Sequence, residues 1–147
     1  MKKLEGRWNY LSFAAKPAEV DRSHLVPKMK EPPNLCAEWT PASVIEFSTD
    51  DSGRVTGNAS IGPISFSFEG SVEQPADDNR GGIDLTATVD SVLARHLTNN
   101  DNDSVYRLVG SFLPNSTHIV GSVLCLSNDL GFMPQGTIGP FVLYPEE

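Results

Sequence analysis

The residue types that do acid–base or metal chemistry are thinly spread in this chain. There are three histidines, His24, His96 and His118, and no two share the i,i+2 or i,i+4 spacing that puts a pair of ligands on one element. His118 begins a strand after a turn and reads as a rim residue. His96 follows Arg95 near a loop mouth, and His24 lies in a proline-rich stretch. Each is read first as a satisfied or surface histidine; each becomes an acid–base group only if it faces a pocket. No Ser/His/Asp grouping, G-x-S-x-G elbow or nucleophile-like cysteine context is present, so no catalytic residue is assigned. Cys36 and Cys125 stand 89 positions apart and read as two separate thiols, with Cys125 a small wall or core residue. The oxygen-rich run Asn99-Asn-Asp-Asn-Asp-Ser104 lacks the glycine and distal glutamate of a calcium loop and reads as a solvated turn. Neither a metal nor a cofactor is expected.

What remains is a set of aromatic and polar residues on alternating strands. Ile64-Ser-Phe-Ser-Phe-Glu-Gly70 is the clearest case: Ile64, Phe66 and Phe68 share one face, and Ser65, Ser67 and Glu69 share the other. Period two is the signature of a half-buried antiparallel strand. If Phe66 and Phe68 face a lumen with Tyr106, Leu108 and Phe112, the interior is apolar and aromatic. Glu46, Arg107 or His118 would then orient a ligand. If they face outward, they make an oligomer or partner surface. Alternation alone does not say which face is inside. The candidate ligand-binding residues are Trp8, Tyr10, Phe66, Phe68, Tyr106, Phe112 and His118.

The elements that must position them follow from the same rhythm. Eight strands are predicted, at about 6–14, 43–48, 54–61, 64–73, 83–89, 104–113, 117–126 and 136–144. Tight turns such as Asp50-Asp-Ser-Gly53 join most of them, so sequence neighbours pair. A meander of eight strands has two exposed edges, and closing the first strand onto the last removes both. Eight strands also make a barrel just wide enough for side chains or one small ligand. The predicted fold is therefore all-β, an eight-stranded antiparallel up-and-down barrel; a two-sheet sandwich is the alternative. Residues 15–42 break the pattern. Pro17, Pro27, Pro32, Pro33 and Pro41 fall there and argue against a continuous strand or helix. This long loop after strand 1 is read as a lid, a plug, a partner-facing loop or a plain surface loop, with a short helical turn allowed around 18–25. A second helical turn or an extended continuation is allowed at 90–97.

The bulk numbers agree with one barrel domain over 1–147. Hydrophobic residues make up 39%, enough for strands that expose one face. Net charge is −8, which argues against a nucleic-acid partner, because phosphate neutralisation needs a basic face. The charge is uneven: residues 1–30 carry 7 Lys/Arg against 3 acids, so +4, and the remainder carries −12. That reads as a solvated surface, or as a basic segment lying on an acidic body. No stretch reaches the ~20 apolar residues of a membrane helix, and Leu4-Glu5-Gly6-Arg7-Trp8 supplies no apolar leader. No membrane partner and a cytoplasmic location are expected.

Gly6-Arg-Trp8 opens the first strand as the G-x-W of the lipocalins and other calycins does. With Gly53-Arg-Val-Thr-Gly57 and the strand glycines Gly70, Gly110 and Gly121, the chain resembles a lipocalin/streptavidin-like barrel of the calycin type. The resemblance implies the barrel shape, with Trp8 closing one end. The chain departs from the lipocalins in lacking a central Thr-Asp-Tyr and a basic residue at the end of the last strand. It departs from the avidins in having only Trp8 and Trp39. Three functions are compatible with this reading. The first is a barrel that binds a small, partly apolar molecule. The second is an isomerase- or cyclase-type enzyme using the cavity. The third is a structural or interaction module, including a homo-oligomer.

Overall fold

The computed structural model describes residues 3–15, 36–38, 42–61, 64–73, 81–89, 105–126 and 135–146. All regular structure among them is strand: β1 (Gly6–Ala15), β2 (Cys36–Glu38), β3 (Ser43–Thr49), β4 (Arg54–Ile61), β5 (Ile64–Glu73), β6 (Gly82–Val89), β7 (Val105–Phe112), β8 (Ile119–Cys125) and β9 (Ile138–Pro145). From β3 to β9 each strand pairs antiparallel with the next. β1 pairs with β3 through Gly6–Tyr10 and with β9 through Trp8–Ser12, which closes an eight-stranded barrel.

The prolines of 15–42 argue against a continuous strand or helix, and within that stretch Cys36–Glu38 forms the three-residue β2 opposite Phe13–Ala15, a strand beyond the eight expected. The backbone of β1 beyond Tyr10 is outside its pairing with β3, so a three-residue strand can pair there without any period of its own. The helical turns considered at 18–25 and 90–97 lie outside the described residues.

The period-two reading of the strands is reproduced in their burial. Ile45 and Phe47 point in and Glu46 points out; Phe66 and Phe68 point in and Ser65, Ser67 and Glu69 point out. Leu85, Leu108 and Leu143 are essentially fully buried, each contributing about 1.5–3 kcal/mol by leaving water. The outer wall is uneven. Over β4 and β5 it carries Thr56, Asn58, Ser60, Ser65 and Ser67. Over β7–β9 it exposes Val109, Val120 and Ile138.

The registers set the barrel's stagger. A walk along paired residues from Ser12 passes Phe141, Gly121, Gly110, Ile83 and Val72. With the same registers extended through β4 and β3 it returns to β1 at position 2, so the stagger is 12 − 2 = 10 residues. At ~3.3 Å per residue and ~4.8 Å between strands, that tilts the strands by roughly 40°. Strands that coil this strongly come close together at Gly121. A Cβ there would lie 2.1 Å from Val109 O and 2.5 Å from the Cα of Gly110, its cross-strand partner. Only glycine permits that approach.

Candidate functional site

The two ends of the barrel are built differently. At one end lie the start of β1, the 50–53 and 113–118 turns and the end of β9. Leu4 is fully buried here, and Thr49 Oγ both accepts from Leu4 N (3.1 Å) and donates to Leu4 O (2.6 Å). Thr49 N donates to Glu5 Oε1 (2.8 Å), and Trp8 Nε1 donates to Glu5 O (3.0 Å). Gly6, at φ +79°, turns the chain from this plug into β1; that left-handed conformation suits glycine. The Asp50 carboxylate holds the neighbouring turn by accepting from Ser52 N, Ser52 Oγ and Arg54 N. The Ser52 hydroxyl bond, with help from Arg54 N, holds its pKa below the usual carboxylate range. Outside, Arg7 forms an ion pair with Glu146, and the Glu146 hydrogen bond pushes the guanidinium pKa up.

The opposite end contains a cavity of about 30 Å³. Its wall is aromatic: Tyr10 from β1, Phe66 and Phe68 from β5, and Tyr106 from β7. The space exists because small residues face large ones. Ala59 on β4 pairs with Phe66, and Ala87 on β6 stands between Phe68 and Tyr106. Ser43, Ile61, Leu108 and Val123 complete the lining. No carboxylate, imidazole, ammonium or guanidinium is among these residues. The polar side-chain atoms among these residues are the Tyr10, Tyr106 and Ser43 hydroxyls.

Of the residues singled out from sequence, Tyr10, Phe66, Phe68 and Tyr106 are brought together around the cavity. Trp8 and Phe112 are buried in the core but do not border it. His118 is exposed; its ring stacks on Tyr144 at 5.6 Å, and its Nδ1 lies 3.2 Å from Ser116 Oγ. Glu46 and Arg107 also face outward. Arg107 forms a two-pronged pair with Asp84 (3.1 and 2.7 Å) that pushes its own pKa up and the Asp84 carboxyl down. Their orientation follows from parity: with Tyr106 and Leu108 inside, Arg107 must be outside.

Sequence reasoning missed Ala59, Ala87 and Ser43. The available signal was an alanine at an inward position of strands otherwise filled by larger residues, as in Ile83, Leu85, Ala87 and Val89. It also missed Ser12. Ser12 is inward and 1% exposed, and its hydroxyl has no hydrogen-bond partner among the described residues. Cys125 is buried in the interior, opposite Tyr106. Among the described residues no three His, Cys, Asp or Glu side chains gather as a metal-binding group, and no helix is long and apolar enough to cross a membrane. Compared with models of known protein families, with curated proteins and with solved structures, the chain matches none.

Proposed function

We propose that this is a calycin-like barrel that binds a small, uncharged, partly apolar molecule at the end bearing the cavity. The observation that carries the reading is the ring of Tyr10, Phe66, Phe68 and Tyr106 around a space left by Ala59 and Ala87. Apolar walls with a few hydroxyls are the usual composition of a small-molecule site. An enzyme of the isomerase or cyclase type needs a titratable group beside the substrate, and the described lining residues bring two phenols, those of Tyr10 and Tyr106, in an otherwise apolar and aromatic wall. The apolar wall is what favours the binding reading.

A backbone-resolved NMR titration with uncharged fragments tests it. Shifts should concentrate at Ser43, Ala59, Phe66, Ala87 and Tyr106. Ala87→Leu, which places a larger side chain in the cavity, should abolish them while the protein stays folded. Shifts scattered over the outer wall, or shifts that survive Ala87→Leu, would sink the proposal.

The outer wall favours a second reading, association with another copy of the chain. Val109, Val120 and Ile138 are 48%, 38% and 56% exposed on neighbouring strands. No charged residue separates them on β8 or β9, whereas the whole chain carries −8. Two copies meeting here would bury apolar surface at the place where their like charges oppose them least. Sedimentation of wild type against Ile138→Lys decides it: a monomer in both cases removes this reading.

A further inference from the structure

Ser12 is a buried polar group that the fold leaves unsatisfied. Its Oγ has no hydrogen-bond partner among the described residues, and the residue is 1% exposed. Removing a hydroxyl from water without a replacement partner destabilises a fold, so such groups are rare and call for an explanation. Its place supplies one. On β1 the inward positions run Trp8, Tyr10, Ser12, so Ser12 lies one inward step beyond the cavity residue Tyr10, toward the end that bears the cavity, without itself lining it. Across from it on β9 is Phe141, whose ring centre lies 6.0 Å from that of Tyr10. The next inward position of β9 is Gly139, which brings no side chain and pairs with the cavity residue Val123.

Size narrows the ligand further. A space of about 30 Å³ holds one or two water-sized groups, not a whole drug-sized molecule. What fits is a narrow tip of two or three heavy atoms, with the rest of the molecule outside the cavity. We infer that the ligand is an uncharged molecule ending in a slim alcohol, carbonyl or amide group, and that Ser12 Oγ is the partner of that group. This rests on the binding reading above and refines it. A serine hydroxyl both donates and accepts, so it suits any of these tips. A charged tip is disfavoured, because no opposite charge is among the described lining residues to offset its loss of water.

The test uses two probes of nearly the same shape, benzyl alcohol and ethylbenzene, which differ in whether the tip carries a hydroxyl or a methyl. Dissociation constants come from NMR titration of wild type, Ser12→Ala and Ser12→Cys; the cysteine variant keeps the test intact if the alanine variant folds poorly. Both substitutions should weaken benzyl alcohol about 3- to 10-fold, the value of one neutral hydrogen bond, and leave ethylbenzene unchanged. Ser12→Ala should also melt a few degrees higher than wild type, because an unsatisfied hydroxyl has gone. If both probes shift the cavity residues but the ratio of their affinities stays within about twofold in both variants, the Ser12 inference falls and the binding reading stands. If Ser12→Ala melts lower with that ratio unchanged, the hydroxyl is structural and the inference falls too. If neither probe shifts the cavity residues of wild type, the binding reading falls and takes the inference with it.

Discussion

At the Leu4 end of the barrel a buried hydroxyl, that of Thr49, makes two hydrogen bonds to one residue of the plug. At the other end a buried hydroxyl of the same chemistry, that of Ser12, makes none within the described residues. The first end is filled by Leu4 and pinned by Glu5 and Trp8; the second keeps a cavity between alanines and aromatic rings. Two hydroxyls in one core thus differ in what satisfies them. The contrast teaches that one end is closed by a hydrogen-bonded plug, whereas the other keeps a cavity and a buried hydroxyl without a partner among the described residues.

Substitutions break this comparison in a definite order. Leu4→Ala should cost about 2–5 kcal/mol in a denaturant titration, since a fully buried leucine is removed from a packed plug. A cost near zero would mean that the Leu4 end is as loosely filled as the other. Thr49→Val keeps the shape and removes both bonds to Leu4, leaving its buried N–H and C=O unpaired. The expected loss is about 1–3 kcal/mol. The matching change at the cavity end, Ser12→Ala, should carry the opposite sign and raise stability by up to about 1 kcal/mol. If both hydroxyl deletions destabilise equally, the distinction between the ends disappears.

The smallest effect is electrostatic. Folding lowers the pKa of Asp50 and Asp84, through Ser52 and Arg107 respectively. A depressed folded pKa gives stability that is present above the unfolded value, about 3.9, and is lost as pH falls through the folded value. Unfolding followed from pH 7 down to pH 2 should therefore show stability falling below about pH 4. Asp84→Asn should make that fall shallower and be slightly less stable at pH 7. Both carboxylates are solvent-exposed and screened, so this change should be far smaller than that of Leu4→Ala.

The strands were legible because a half-buried strand writes its burial into every second residue, as Ile64 to Glu69 show. Closure was legible indirectly, from the count of strands and the need to remove two edges. β2 was not: three residues carry no period, and their pairing with Phe13–Ala15 depends on chain far away. The inward face was not legible from any one strand, because parity fixes which residues alternate and not which set is inside. Applied jointly, parity would have excluded Arg107 once Tyr106 was placed inside. The cavity was the hardest to foresee. It arises from Ala87 standing between Phe68 and Tyr106, and that cross-strand meeting is set by register, which turn and packing decide together. Parity puts Ser12 on the face of Trp8 and Tyr10, but it does not show that the hydroxyl is left without a partner among the described residues.

The closure of β1 on β9 also has a consequence in time. The Arg7–Glu146 pair that flanks it joins residues 139 apart in sequence. The hairpins from β3 to β8 are joined by 2 to 15 residues, whereas this seam must bring together segments about 130 residues apart, so it is the late and slow event of folding. Until it forms, β1 and β9 each present an open edge to any other chain in reach. Refolding yield should therefore fall as protein concentration rises, and a yield independent of concentration would show that the seam forms early.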